Sequence, residues 1–265
     1  MSGKPSGNKA AIPKGLAVRL IAKLGRSIIW HLSDLARESL KQPGSWRCLE
    51  IVYRNEPRTL LDRFFLNSRS ARGARNRLRI LQEQICKCIE QHSRFGNPVR
   101  LVSFGSGPGH EILGCIEMFR GNVALEATCV DREPSALECG RILAAQKGLS
   151  DCIEYVQGNV LRMNSMMAEH DIAILSGLID YFDFETVVSV LGTVREQLLP
   201  GGTVLVANMR RHYLASIMSI LGDWHLVYKG PEEVESILGE SGYEDIEVWL
   251  EPEKVFCIGK ARNPS

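Results

Sequence analysis

This chain has no apolar run approaching the ~18–20 uninterrupted residues a membrane-spanning helix needs. It has no CxxC pair among its eight cysteines, and almost no net charge, +1 at pH 7 over 265 residues. The first absence excludes a helical membrane protein. The second excludes the common zinc spacings. Cys86 and Cys88 stand only two apart, and most of the others lie in apolar segments, where cysteine acts as a small hydrophobe. The third argues against a nucleic-acid binder, which is more often basic overall. A clean signal-peptide centre is missing too, because Arg19, Lys23 and Arg26 interrupt the stretch from Leu16 to Trp30. A reducing cytoplasm is therefore the expected setting.

What is present is unevenly spread. Residues 1–100 carry 20 Lys and Arg against 7 Asp and Glu, and residues 101–265 carry 12 against 24. A basic first part and an acidic second part suggest two unlike pieces docked within one chain. Residues 1–15, rich in Gly, Lys, Pro and Ser, read as a flexible tail. Leu16, Leu20, Leu24, Ile28 and Leu32 recur every four residues, the stripe of an amphipathic helix that packs or forms a lid. Helices are expected at about 16–40, 57–67 and 71–93, with breaks at Pro43-Gly44 and Asn97-Pro98. No strand pattern precedes residue 99, so residues 16–97 read as an all-helical extension or lid.

From residue 98 the pattern changes. Strands are expected at 99–104, 124–130, 152–156, 171–175 and 203–207, with helices at 109–120, 134–147 and 184–198 between them. Such alternation means βαβ units and a parallel sheet. Helices near 211–221 and 231–241 follow, then strands at 245–250 and 255–261. Glu251-Pro252-Glu253-Lys254 joins these two closely enough for an antiparallel hairpin.

The segment LVSFGSGPG, Leu101 to Gly109, is the first chemical marker: an apolar strand, a turn through Gly105, Gly107 and Gly109, then a helix. Ligands in open α/β sheets bind beyond the carboxyl ends of such strands. Asp131, at the tip of the second strand and 26 residues after Gly105, can accept hydrogen bonds from both hydroxyls of a ribose. It can also cap the helix that Pro134 opens. Glu111, just inside the helix after the turn, is a poor neighbour for a pyrophosphate, which disfavours a nicotinamide cofactor.

Together the FGSGPG turn, Asp131, Gly158-Asn159, the strand DIAILSGL and the segment LLPGGTVLVAN resemble the class I S-adenosylmethionine-dependent methyltransferases over residues 99–262. The resemblance implies an α/β, doubly wound Rossmann-like sheet of seven strands with an antiparallel C-terminal strand, preceded by the helical extension. It also implies S-adenosylmethionine as cofactor. Gly105, Ser106, Gly107 and Gly109 would pass its methionine part, Asp131 with Arg132 beside it would hold the ribose, Asn159 and Val160 would frame the adenine, and Ser176 would complete the set. Asn159 stands where the family usually has Asp.

Ser176-Gly177-Leu178-Ile179-Asp180-Tyr181 lacks the Asn/Asp-Pro-Pro-aromatic tetrapeptide of enzymes that methylate nucleobase amines. That points away from nucleic acid and toward a small-molecule substrate; a homodimer is compatible with the sequence. Tyr181, Asn208 and His212 are the catalytic candidates. Tyr181 can orient a substrate or sulfonium, Asn208 stands at the tip of the fifth strand, and His212 is the best placed of His110, His212 and His225 for a general base. Arg69, Arg72, Arg75 and Arg79 share one helical face, with Arg77 off it, and offer either a solvated face or an anion site. The expected activity is methyl transfer to oxygen or nitrogen of a small metabolite. The alternatives are a synthase that cyclises the methionine chain and releases methylthioadenosine, as azetidine-2-carboxylate synthases do, and a non-catalytic cofactor-binding module.

Overall fold

A computed structural model describes residues 32–93, 97–162, 169–211 and 226–264 of the chain. Four helices lead: α1 (Asp34–Lys41), α2 (Trp46–Arg54), α3 (Leu60–Leu66) and α4 (Arg69–His92). Each begins at a hydroxyl cap: Ser33, Ser45, Thr59 and Ser68 accept a hydrogen bond from a backbone N–H three residues on. These caps satisfy donors that a helix start would otherwise leave unpaired.

The alternating region then runs β1 (Val99–Phe104), α5 (His110–Phe119), β2 (Leu125–Asp131), α6 (Pro134–Lys147), β3 (Ile153–Gln157), β4 (His170–Ser176), α7 (Phe184–Arg195), β5 (Leu198–Met209), α8 (Pro231–Glu240), β6 (Glu244–Leu250) and β7 (Phe256–Arg262). The seven strands lie in the order β3-β2-β1-β4-β5-β7-β6. All neighbours are parallel except β7, which is antiparallel to both β5 and β6. The strand order reverses between β1 and β4, and their tips open the crevice where ligands of such sheets bind.

The sheet is buried on both faces. One face packs α4, α5 and α6 through Leu81, Ile85, Ile89, Ile112, Ile116 and Leu137. The other packs α7 and α8 through Val187, Leu191, Val234 and Leu238. The sheet's core thus draws on residues before 98. Leu81, Ile85 and Ile89 on α4 are at most 1% exposed, each worth about 1.5–3 kcal/mol of burial.

Two stretches differ from the sequence expectation, and a third is not described. A helix at 46–54 was not expected, although Ser45 after the Pro43-Gly44 break supplies its cap. β5 begins at Leu198, five residues early, because Leu198 pairs with His170 across a register shift that accommodates Pro200 and the glycines after it. The helix expected near 211–221, and with it His212 and His225, lies outside the described residues.

Gly140 on α6 shows how closely the helices sit. A β-carbon there would stand 2.2 Å from the Tyr155 ring and 2.8 Å from the Pro108 carbonyl oxygen. Tyr155 itself donates to that carbonyl at 3.2 Å. Gly140→Ala is expected to cost about 1–3 kcal/mol, the usual scale of overpacking. Chemical denaturation of both proteins checks it, and an unchanged midpoint contradicts the close fit.

Candidate cofactor-binding site

A cavity of about 1360 Å³ opens at the tips of β1, β2 and β4 beneath the N-terminal helices. Pockets for a single small ligand usually run about 300–1,000 Å³, so this one has room for a cofactor and a second molecule.

The β1–α5 turn forms one wall. Gly105, Gly107 and Gly109 all have positive φ, at 63°, 55° and 78°, a region that L-residues rarely enter. Gly105 and Gly107 line the cavity with Ser106, whereas Gly109 is turned away from it. A β-carbon on Gly109 would stand 2.7 Å from Cys129 Sγ, so the close packing of α5 on the sheet requires glycine there.

Asp131 ends β2 and anchors the turn: Oδ2 accepts from the Gly107 N–H at 2.8 Å and Oδ1 from the Glu133 N–H at 2.9 Å. The carboxylate is thereby fixed at the cavity edge, with Arg132 exposed beside it. Gly158, Asn159 and Val160 line the far side. Asn159 Oδ1 accepts from the Leu161 N–H at 3.1 Å, shaping the short turn at Val160–Arg162. Ser176 lines the cavity at the tip of β4.

Helix α2 roofs this wall. Trp46, Glu50 and Tyr53 fall on one face by their spacing of four and three. The Trp46 Nε1–H donates to Glu133 at 3.3 Å and Ser135 at 3.2 Å, and its β-carbon stands 3.5 Å from where one on Gly107 would be. Glu50 lies 2.6 Å from His110 Nε2, a contact that, with Arg54, holds its carboxyl below the usual range despite partial burial. The Tyr53 ring meets the His110 ring edge-on at 5.5 Å.

The catalytic candidates separate. Tyr181 is 46% exposed and faces the cavity from the turn after β4. Asn208 does not line it: fully buried, its Nδ2 donates to the carbonyls of Met209 and Lys229 at 3.1 and 3.0 Å, tying the end of β5 to the segment before α8. His212 falls outside the described residues.

Asp180, beside Tyr181, is a buried cavity-lining carboxyl that burial pushes up to about 7. Its Oδ1 accepts from the Met209 N–H at 2.7 Å. Lys229, also buried, pins the turn around it by donating to the carbonyls of Ile179, Phe182 and Val227 at 2.9, 2.8 and 3.2 Å.

The arginine row, which offered a solvated face or an anion site, is engaged by groups of the protein itself. Arg69 and Arg72 reach Glu253, Arg75 donates to the carbonyls of Val52 and Leu66, and Arg79 pairs with Glu83. Arg63, Arg69, Arg72, Arg77 and Arg132 all line the cavity, and of these only Arg77 is buried, at 4% exposed. It belongs to the stripe Ala71, Ala74, Arg77, Leu81, Ile85 and Cys88 that α4 buries. A lone arginine inside an apolar stripe was the signal that could have singled it out.

Residues 40–263 match the family described as "Putative methyltransferase". The chain belongs to this family. The methyltransferase-family chain is also 24% identical to the protein YnbC of Escherichia coli (strain K12) over 268 residues; the match covers 94% of this chain and 45% of YnbC, about half that relative's length. Among solved structures, it is similar to a "possible exported protein" from Bordetella parapertussis (TM-score 0.78, 17% identity, 96% of this chain and 90% of that one). It is also similar to the S-adenosylmethionine-dependent methyltransferase SibL in its apo form (TM-score 0.56, 17% identity, 95% of this chain and 78% of that one). At these identities the likeness is one of fold. The class I resemblance read from the sequence thus holds in family and in architecture. No helix among the described residues is long and apolar enough to cross a membrane.

Proposed function

We propose that this methyltransferase-family protein binds S-adenosylmethionine in the cavity and transfers its methyl group to oxygen or nitrogen of a small metabolite. The observation that carries the reading is the pairing of Gly107 with Asp131: a backbone bend open to close approach, held 2.8 Å from a carboxylate at the strand tips. The residues present fit the cofactor. Gly105, Ser106 and Gly107 accommodate its methionine part. Asp131, both oxygens of which keep a further lone pair, accepts from the ribose hydroxyls. Asn159 and Val160 border the adenine, with Ser176 at the strand tip between. When bound, the cofactor supplies an electrophilic methyl on a sulfonium.

The chain's own part is to orient, to exclude water and to accept a proton. The face of Trp46, Glu50 and Tyr53 closes the cavity over the glycine turn, which favours positioning and dryness. Tyr181 faces the acceptor. The proton-accepting role read at His212 remains part of the proposal. Asp180 supports a second reading of that role: it lines the cavity, and a carboxyl poised near 7 is matched to proton transfer at neutral pH. The remaining wall, with Leu49, Val52, Phe64, Met209 and Phe256, suits an apolar acceptor. A reducing cytoplasm suits the eight free thiols.

Product analysis after incubation with S-adenosylmethionine and metabolite extracts tests the reaction. S-adenosylhomocysteine is the expected product. Methylthioadenosine instead would mean cyclisation, and binding without turnover a non-catalytic module.

A further inference from the structure

Arg77 is a buried cation whose surroundings leave it unsatisfied. Its Nη2 donates to the Tyr53 hydroxyl at 2.9 Å and its guanidinium stacks on the Phe256 ring at 4.7 Å. Its Nε is buried with no hydrogen-bond partner. Asp180 and Glu111 are the nearest acidic influences, yet among the described residues neither forms an ion pair with it. Both are themselves buried, and burial favours their neutral forms. An unpaired charge out of water is costly, and a planar guanidinium is relieved best by a carboxylate that takes two parallel hydrogen bonds.

Arg77 and Gly177 both line the cavity. Gly177 follows β4 with φ of 70°, and a β-carbon there would stand 3.1 Å from Arg77 Nη1 and 3.9 Å from Asp180 Oδ2. Any residue but glycine would crowd the space beside the guanidinium.

We propose that Arg77 is the docking point for a carboxylate carried by a molecule bound in the cavity. The carboxylate belongs either to the amino-acid end of the cofactor, an arm that rests on the cofactor reading above, or to the acceptor. Its recognition draws on a cation that the sheet core and α4 hold in place, so the group gains orientation as well as affinity.

Calorimetry on the wild-type chain with S-adenosylhomocysteine and with its decarboxylated analogue tests the first source without any substitution. At least tenfold tighter binding of the carboxylate form is expected. Arg77→Met should erase that preference, and Arg77→Lys should restore part of it. For the second source the probe is benzoate, followed by NMR with and without saturating S-adenosylhomocysteine. Benzoate binding present in the wild type and absent in Arg77→Met assigns the docking point to the acceptor. If neither adenosyl ligand binds, the cofactor reading fails, while the benzoate arm still decides the role of Arg77. Equal affinity for the two adenosyl ligands, together with no Arg77-dependent benzoate binding, overturns the proposal.

Discussion

Replacing Asp131 with alanine is expected to weaken binding of S-adenosylhomocysteine by about 10- to 150-fold, or about 1.5–3 kcal/mol, the scale for losing a charged hydrogen-bond acceptor. Two effects act in the same direction. The ribose hydroxyls lose their acceptor, and the N–H groups of Gly107 and Glu133 lose the carboxylate oxygens that now hold them at 2.8 and 2.9 Å. Asp131→Asn separates the effects. The amide keeps one acceptor oxygen near the turn but cannot take both backbone N–H groups and a ribose hydroxyl pair. It should retain most of the fold's stability while losing most of the affinity. Calorimetry gives the affinity and thermal unfolding gives the stability. An unchanged dissociation constant for Asp131→Ala removes the ribose assignment and leaves Asp131 as a turn anchor alone.

The contrast between Asp131 and Arg77 shows what a sequence can and cannot disclose about such a site. Asp131 was legible because its place is set by local rules: an apolar strand ends, an acid follows, and Pro134 opens the next helix. The glycine turn was legible for the same reason, though the split between Gly107, which lines the cavity, and Gly109, which abuts Cys129, needed the packing of α5. Arg77, rightly set off the four-arginine face, could not be singled out because helical spacing groups residues by face without saying which face the sheet covers. The four-arginine row is the outer face, and the buried stripe passes through Arg77. Helix α2 was missed although Ser45 caps it. Its roofing role depends on contacts between residues some 60 to 90 positions apart, Glu50 with His110 and Trp46 with Glu133. Asn208 stood at a strand tip as the sequence indicated, but the segment around Lys229 covers it and claims its amide.

The buried carboxyl of Asp180 gives the second large expected effect, on stability against pH. Unfolded, the group titrates near 3.8; in the native protein burial pushes it up to about 7. Between these values the native state holds a proton that the unfolded state has released. Stability from this group is therefore fully present below about pH 4, falls as pH rises toward 7, and is level above it. The whole change amounts to about 4 kcal/mol at most, at 1.36 kcal/mol per unit. Glu111, also raised by burial, acts in the same sense. His92 and His170, which burial pushes down, act in the opposite one: the native state releases their protons at lower pH than the unfolded state does, so stability rises as pH climbs toward 6.5. The wild-type profile alone therefore mixes the two signs, and the difference between wild type and Asp180→Asn isolates the carboxyl. Asparagine keeps an oxygen for the Met209 N–H and carries no charge at any pH. The two proteins should be nearly equal in stability at about pH 3.5, and the variant should be the more stable by about 4 kcal/mol at most at pH 8, read by urea denaturation at each pH. Parallel profiles would mean that Asp180 is ionised throughout, paired with Arg77 or Lys229 in solution. The carboxylate would then be a weaker base, poorly matched to proton transfer at neutral pH, and Arg77 would have less need of a ligand's carboxylate.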